Sequence, residues 1–239
     1  MRYELYYWPG VQGRGEFVRL ALEEGRADYV DVARVEKDGV GAMTRILNGE
    51  GTTQPPFAPP FLKAGKLIIG QTANILLYLG RRHGLAPASE AGQLWTHQIQ
   101  LTFTDMLVQI HDVHHPIASS LYYEEQKAEA KRRAEDFHKN RLQKYLGYFE
   151  SLLQQNPKGD KWLVGGRLTY ADLSLFQVVE GLYYAFPRAM ARQASRIPRT
   201  LALRDRVKER PRIAAYLASE RRIPFNQQGI FRHYDELDI

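Results

Sequence analysis

The chain has 239 residues, enough for one large domain or two modest ones, and is 44% hydrophobic, 11% aromatic and 25% charged. That make-up supports a packed core and lacks the low-hydrophobicity, high-charge signature of disorder. The net charge of +6 is spread along the chain among acidic residues, and no RNA-binding or zinc-finger spacing accompanies it, so a nucleic-acid partner is not expected. There is no cysteine, which rules out disulfides, cysteine-held metals and a thiol nucleophile from the protein itself.

In chain order, Tyr3–Trp8 is rich in aromatic residues, stops at Pro9-Gly10 and predicts a first strand. Glu16–Glu24 carries Phe17, Leu20, Ala21 and Glu24 at helical spacing, and Gly25 ends it. Tyr29–Ala33 predicts a second strand. Residues 36–58 are rich in glycine and proline, with a short helix expected over Ala42–Leu47. Phe61–Lys63 and Leu67–Ile69 predict a hairpin, and Thr72–His83 a helix ending near Gly84. From Ser89 onward the persistent patterns are helical: Ser89 to Pro116, Glu124–Gln155, a helix opened by Thr169-Tyr170-Ala171-Asp172, then Arg199–Glu209 and Ile213–Arg221. The tail from Pro224 to Ile239 is too polar for a firm helix and is expected to fold back or stay loose. The switch from mixed strands and helices to helices alone puts a domain boundary near residue 86. The Met1-Arg2-Tyr3-Glu4 start reads as a strand rather than a signal peptide, and no apolar run reaches membrane-span length. The expected location is cytoplasmic.

Several motifs occur in a telling order. Tyr7-Trp8-Pro9 ends the first strand and Gly13-Arg14 precedes the first helix. Pro59-Pro60-Phe61-Leu62 starts the third strand. Gln71-Thr72-Ala73-Asn74-Ile75 begins the next helix, and Leu168-Thr169 with Ala171-Asp172-Leu173 opens a late one. This series resembles the cytosolic glutathione transferases, especially their tyrosine classes (alpha, mu, pi and sigma), over most of the chain. The resemblance implies an α/β, thioredoxin-like glutathione-binding domain at residues 1–86 and an all-helical bundle at 89–239. It implies conjugation of glutathione, as co-substrate, to small hydrophobic electrophiles by a homodimer, with no metal or organic prosthetic group and no membrane partner. Glutathione peroxidase or isomerase chemistry on the same scaffold, or a non-catalytic relative that binds hydrophobic ligands, are the alternatives.

Carried onto this sequence, the resemblance makes Tyr7 the hydroxyl that stabilises the glutathione thiolate. A free thiol of pKa about 8.5 is mostly protonated at neutral pH, whereas a tyrosine near 10 stays a donor. Tyr6 falls on the opposite face by strand alternation. Gln71 and Thr72 match the γ-glutamyl site, where free N–H groups at a helix start suit a carboxylate. Pro60 matches a cis-proline whose preceding residue pairs with the cysteinyl unit. Here that residue is Pro59, which has no N–H, so one hydrogen bond worth about 1 kcal/mol is lost. Arg14 matches an arginine that supports the sulfur electrostatically, after a loop one residue longer than the common mammalian pattern. Asp105 matches the residue reaching the glutathione amino group of the partner subunit. The Trp and Lys that hold the glycyl carboxylate in many relatives have no match in residues 36–58; Arg45 is the available substitute.

Thr169-x-x-Asp172 is a capping box expected to serve folding. His111, His114 and His115 share a helical face but read as ordinary helix-end side chains. Tyr122, Tyr123, Tyr183, Tyr184, Phe231 and Tyr234 are the aromatic candidates for a second-substrate pocket, with most of them expected in the core.

Overall fold

A computed structural model describes residues 1–239. Strand β1 (Tyr3–Tyr6) runs into helix α1 (Gly15–Glu24) and returns as β2 (Tyr29–Asp31), parallel to β1. Two short helices follow, α2 (Val32–Val35) and α3 (Gly39–Leu47). The hairpin β3 (Phe61–Ala64) and β4 (Leu67–Gly70) then adds antiparallel to β1, and α4 (Thr72–Arg82) closes the unit. The sheet order is β2-β1-β3-β4, a thioredoxin-like arrangement. The predicted second strand ends at Asp31 rather than Ala33, because Val32 and Ala33 turn into α2.

Side-chain alternation along β1 divides the core. Leu5 and Tyr3 face α1 and α4 in the large apolar cluster, while Tyr6 joins Val32, Met43 and Phe61 on the other face. The large cluster runs without a break into the helical half, since α1 also packs on α8 (Tyr170–Ala185) and α11 (Pro211–Leu217).

The helical half begins with α5 (Glu90–His114), whose Ser89 hydroxyl accepts the Gly92 N–H at 3.2 Å. The segment expected as one helix from Glu124 starts instead with a 3-10 turn at Tyr123–Glu125 and then α6 (Lys127–Asp136). Residues Phe137–Leu142 form a π-helical stretch before α7 (Gln143–Gln155). A π stretch shifts the phase of the helix, and Phe137, His138 and Leu142 are all buried there. After α8 comes α9 (Pro187–Gln193), which the sequence reading missed although Pro187 at its first turn is a start signal. Then come α10 (Pro198–Lys208) and α11, which ends at Leu217 rather than Arg221.

The tail folds back. Ile230, Phe231 and Leu237 are buried, and only Asp235–Leu237 has helical (3-10) form. Phe231 lies over Gly181 of α8, where any Cβ would come within 2.4 Å of its ring. No helix is long and apolar enough to cross a membrane.

The start of α8 is the expected capping box of Thr169 and Asp172. Asp172 Oδ2 accepts the Thr169 N–H at 2.6 Å and the Thr169 hydroxyl at 2.8 Å, while Oδ1 accepts the Leu163 N–H at 2.7 Å. The hydroxyl thus donates to the carboxylate, and Asp172 ties the loop before α8 to the helix.

Candidate functional site

The register of the sheet assembles the site. Tyr6 pairs with Phe61, and Phe61 with Gly70. The next residues outward are Tyr7, Pro60 and Gln71, so chain positions far apart in sequence meet at one end of the sheet. The Pro59–Pro60 peptide is cis, at the expected position.

Tyr7 is 6% exposed and directly follows β1. Gly13 is in the left-handed region at φ +42°, and a Cβ there would sit 2.0 Å from the Tyr7 hydroxyl. Only glycine permits both the backbone and the approach. The Tyr7 oxygen accepts the Arg14 N–H at 2.9 Å, which leaves its own proton available for donation. Burial pushes the Tyr7 hydroxyl above the ordinary tyrosine range, while the Arg14 N–H and the charges of Arg14 and Arg19 pull the other way. It is therefore a protonated donor at neutral pH. Tyr6, in contrast, donates to Glu4 at 2.6 Å and stacks on Phe61.

A cleft of about 250 Å³ opens beside α4, lined by Arg14, Gln71–Asn74 and, from α5, His97, Gln100, Leu101, Thr104 and Leu107. Gln71 has φ +67°. Outside glycine such a conformation costs on the order of 1–3 kcal/mol and tends to be kept where it serves a site. Thr72 Oγ1 and His97 Nδ1 are buried without hydrogen-bond partners, and both residues line the cleft. Unpaired buried polar atoms are uncommon, and here they leave unused hydrogen-bonding capacity for a polar ligand.

Of the residues singled out in the sequence, Tyr7, Arg14, Pro60, Gln71 and Thr72 thus converge, and Pro59 is half-buried beside them. Asp105 stands apart on the exposed face of α5, outside the cleft lining. Arg45 is exposed and bonded to Asp38 at 2.8 Å. Among the aromatic candidates, Tyr123 and Phe231 are core residues, while Tyr122 is 77% exposed.

Sequence reasoning missed His97, Gln100 and Thr104, which line the cleft from α5; their spacing of three and four residues was the available signal. It also missed the buried support of the α1 turn. Arg19, fully buried, bonds Asp31 at 2.7 Å, Glu16 at 3.2 Å and the Gln12 carbonyl at 3.4 Å. Gln12 reaches Gln177 of α8 at 2.7 Å and the Ile223 carbonyl at 2.5 Å. These bonds fasten the Gln12–Arg14 turn, and with it the Tyr7 oxygen, to the helical half.

Known proteins resemble this chain in sequence and in fold. The family described as "Glutathione S-transferase, C-terminal domain" matches residues 111–220. A Plasmodium falciparum glutathione S-transferase is 25% identical, covering 91% of this chain and 95% of that protein. The Bos taurus glutathione S-transferase P is 29% identical, with 95% and 98% covered. The chain is similar to glutathione S-transferases over most of its length. Solved structures show the same fold. The prostaglandin synthase D of Nilaparvata lugens has a TM-score of 0.71 at 23% identity, with 94% of this chain and 100% of that chain covered. The Pi-class glutathione S-transferase of Onchocerca volvulus has a TM-score of 0.69 at 23% identity, with 90% and 92% covered.

Proposed function

We propose that this glutathione S-transferase homologue conjugates the thiolate of glutathione to small hydrophobic electrophiles, with Tyr7 as the thiolate's hydrogen-bond donor. The observation that carries the reading is the convergence of a free Tyr7 proton, the Pro59–Pro60 edge and the Gln71–Thr72 helix start at one end of the sheet. The thiol sits between them, and Arg14 adds positive charge on the same side. The first N–H groups of α4 and the Thr72 hydroxyl take the γ-glutamyl carboxylate. The Pro59 carbonyl accepts one bond from the cysteinyl unit, and the matching donor is missing. Residues 1–86 act as the glutathione-binding domain and 89–239 as the helical domain that covers it.

The active form is a cytoplasmic homodimer. Its support is an exposed stripe of Leu94, Leu101 and Val108 along α5, together with Phe57, which is 97% exposed. Asp105 is exposed on the same helix, and in this homodimer it takes the role of reaching a partner's glutathione amino group.

Ultraviolet titration of the bound glutathione thiol tests the reading. A thiol pKa below the free value supports it, and an unshifted thiol removes it. The carboxylate site has its own test. Thr72→Val keeps the shape and deletes the hydroxyl, so glutathione Kd measured by calorimetry is expected to rise about five- to tenfold, the equivalent of one hydrogen bond of about 1 kcal/mol or slightly more.

A further inference from the structure

At the C-terminal end of α5, His111, His114 and His115 each offer a ring nitrogen, and these atoms all lie within 4.8 Å of one another. The spacing brings the rings to one side of the last turn. His115, the residue that caps the helix, bonds its N–H to the His111 carbonyl at 3.1 Å. His114 and His115 are 1% and 8% exposed, and His111 is half-buried.

The tail determines which nitrogen is available. His114 Nε2 lies 2.9 Å from the Ile230 carbonyl. A carbonyl only accepts, so Nε2 carries the proton and Nδ1 is left with a lone pair. That lone pair points at His115 Nδ1, 2.5 Å away. A backbone carbonyl behind one imidazole nitrogen with an open lone pair on the other is the arrangement that orients histidine as a metal ligand. We propose that His111, His114 and His115 form a binding site for a divalent first-row metal ion, zinc in the first instance, with water in the fourth position.

The chemistry of the donor set supports this. Neutral imidazoles suit zinc, copper and nickel and are poor ligands for magnesium or calcium. Zinc–nitrogen bonds of about 2.0–2.1 Å place tetrahedral ligand nitrogens about 3.3 Å apart. The close His114–His115 pair opens slightly to reach that separation, and half-buried His111 swings in. The proton His115 shares with His114 moves to its outer nitrogen. The surrounding charge is balanced: Asp112 Oδ1 lies 3.8 Å from His111 Nδ1 and Glu124 acts on His115, against Arg14 and Arg232. Through the His114–Ile230 bond the metal would brace the folded-back tail against α5. This departs from the expectation that these are ordinary helix-end histidines in a protein without metal.

The test uses the full chain, stripped of metal and free of glutathione, so its outcome is independent of transferase activity. Calorimetric titration with zinc chloride is expected to show one equivalent bound at micromolar Kd or tighter. Cobalt(II) is expected to give the intense visible absorption of a tetrahedral centre, and zinc to raise the unfolding temperature. His111→Asn and His115→Gln, the less deeply placed pair, should each weaken zinc binding at least tenfold while leaving the metal-free unfolding temperature close to the parent's. Absence of saturable binding, a weak octahedral cobalt spectrum, or affinity unchanged in both variants would overturn the site.

Discussion

Tyr7→Phe is expected to raise the pKa of enzyme-bound glutathione by one to two pH units and to slow conjugation at neutral pH about ten- to a hundredfold. The magnitude follows from the bond removed. A hydrogen bond to a charged group is worth about 1.5–3 kcal/mol, and each pKa unit corresponds to about 1.4 kcal/mol. The substitution deletes the hydroxyl while the ring stays packed on Gly13 and Gly15. The Arg14 N–H loses its acceptor, a smaller effect at the start of α1. Glutathione affinity is expected to change little, because the γ-glutamyl end is held elsewhere. The split between an intact Kd and a raised thiol pKa therefore separates loss of the donor from collapse of the site. Unchanged thiol pKa with unchanged turnover would exclude Tyr7 and direct attention to Arg14. Tyr6→Phe supplies the control, since the Tyr6 hydroxyl is already given to Glu4 on the other face.

The largest stability effect is expected at Asp172. Its fully buried carboxylate accepts from Leu163 N, Thr169 N and the Thr169 hydroxyl. Asp172→Ala strands these donors away from water, at about 1–3 kcal/mol each where nothing replaces the bond. Partial relaxation brings the expected loss to about 4 kcal/mol. For a chain of this length that lowers the unfolding temperature by roughly 10 °C. Calorimetry or chemical denaturation measures it, and a loss under about 1 kcal/mol would show that the Trp162–Thr169 loop is not held through this side chain. Turnover per folded molecule should stay near the parent's, since Asp172 does not line the cleft.

The same residue gives a pH signature. Burial pushes the Asp172 carboxyl up to about 6, against the hydrogen bonds that favour its ionised form. An unfolded aspartate titrates near 3.9. The folded state thus binds the proton more tightly, so this contribution to stability is fully present below about pH 4 and is lost as pH rises through 6. Asn at this position does not titrate. The stability advantage of the parent over Asp172→Asn is accordingly expected to shrink between about pH 4 and pH 6 and to level off above. A gap that widens over that interval would mean that the donors outweigh burial.

The sequence by itself determined the features that depend on near neighbours. Alternation in β1 separated Tyr7 from Tyr6, the family resemblance marked Pro60, and Thr169 with Asp172 marked the start of α8. The order of strands and helices followed from periodicity and from Gly and Pro punctuation. These are legible because a side chain's face, a cap and a turn are set within a few residues. The tertiary structure alone decided what came from distant segments. Register across the sheet brought Tyr7, Pro60 and Gln71 to one end. Packing between the two halves buried Arg19 with Glu16, Asp31 and Gln12, a grouping that local patterns do not encode because its members pair only after the chain has collapsed. The π stretch at Phe137–Leu142 likewise reflects a buried face that a uniform helical period does not reveal. The tail's return placed the Ile230 carbonyl behind His114, turning a run of helix-end histidines into an oriented cluster. Local conformational preference extends over only a few residues, whereas a binding site takes its geometry from the global minimum of burial and hydrogen bonding.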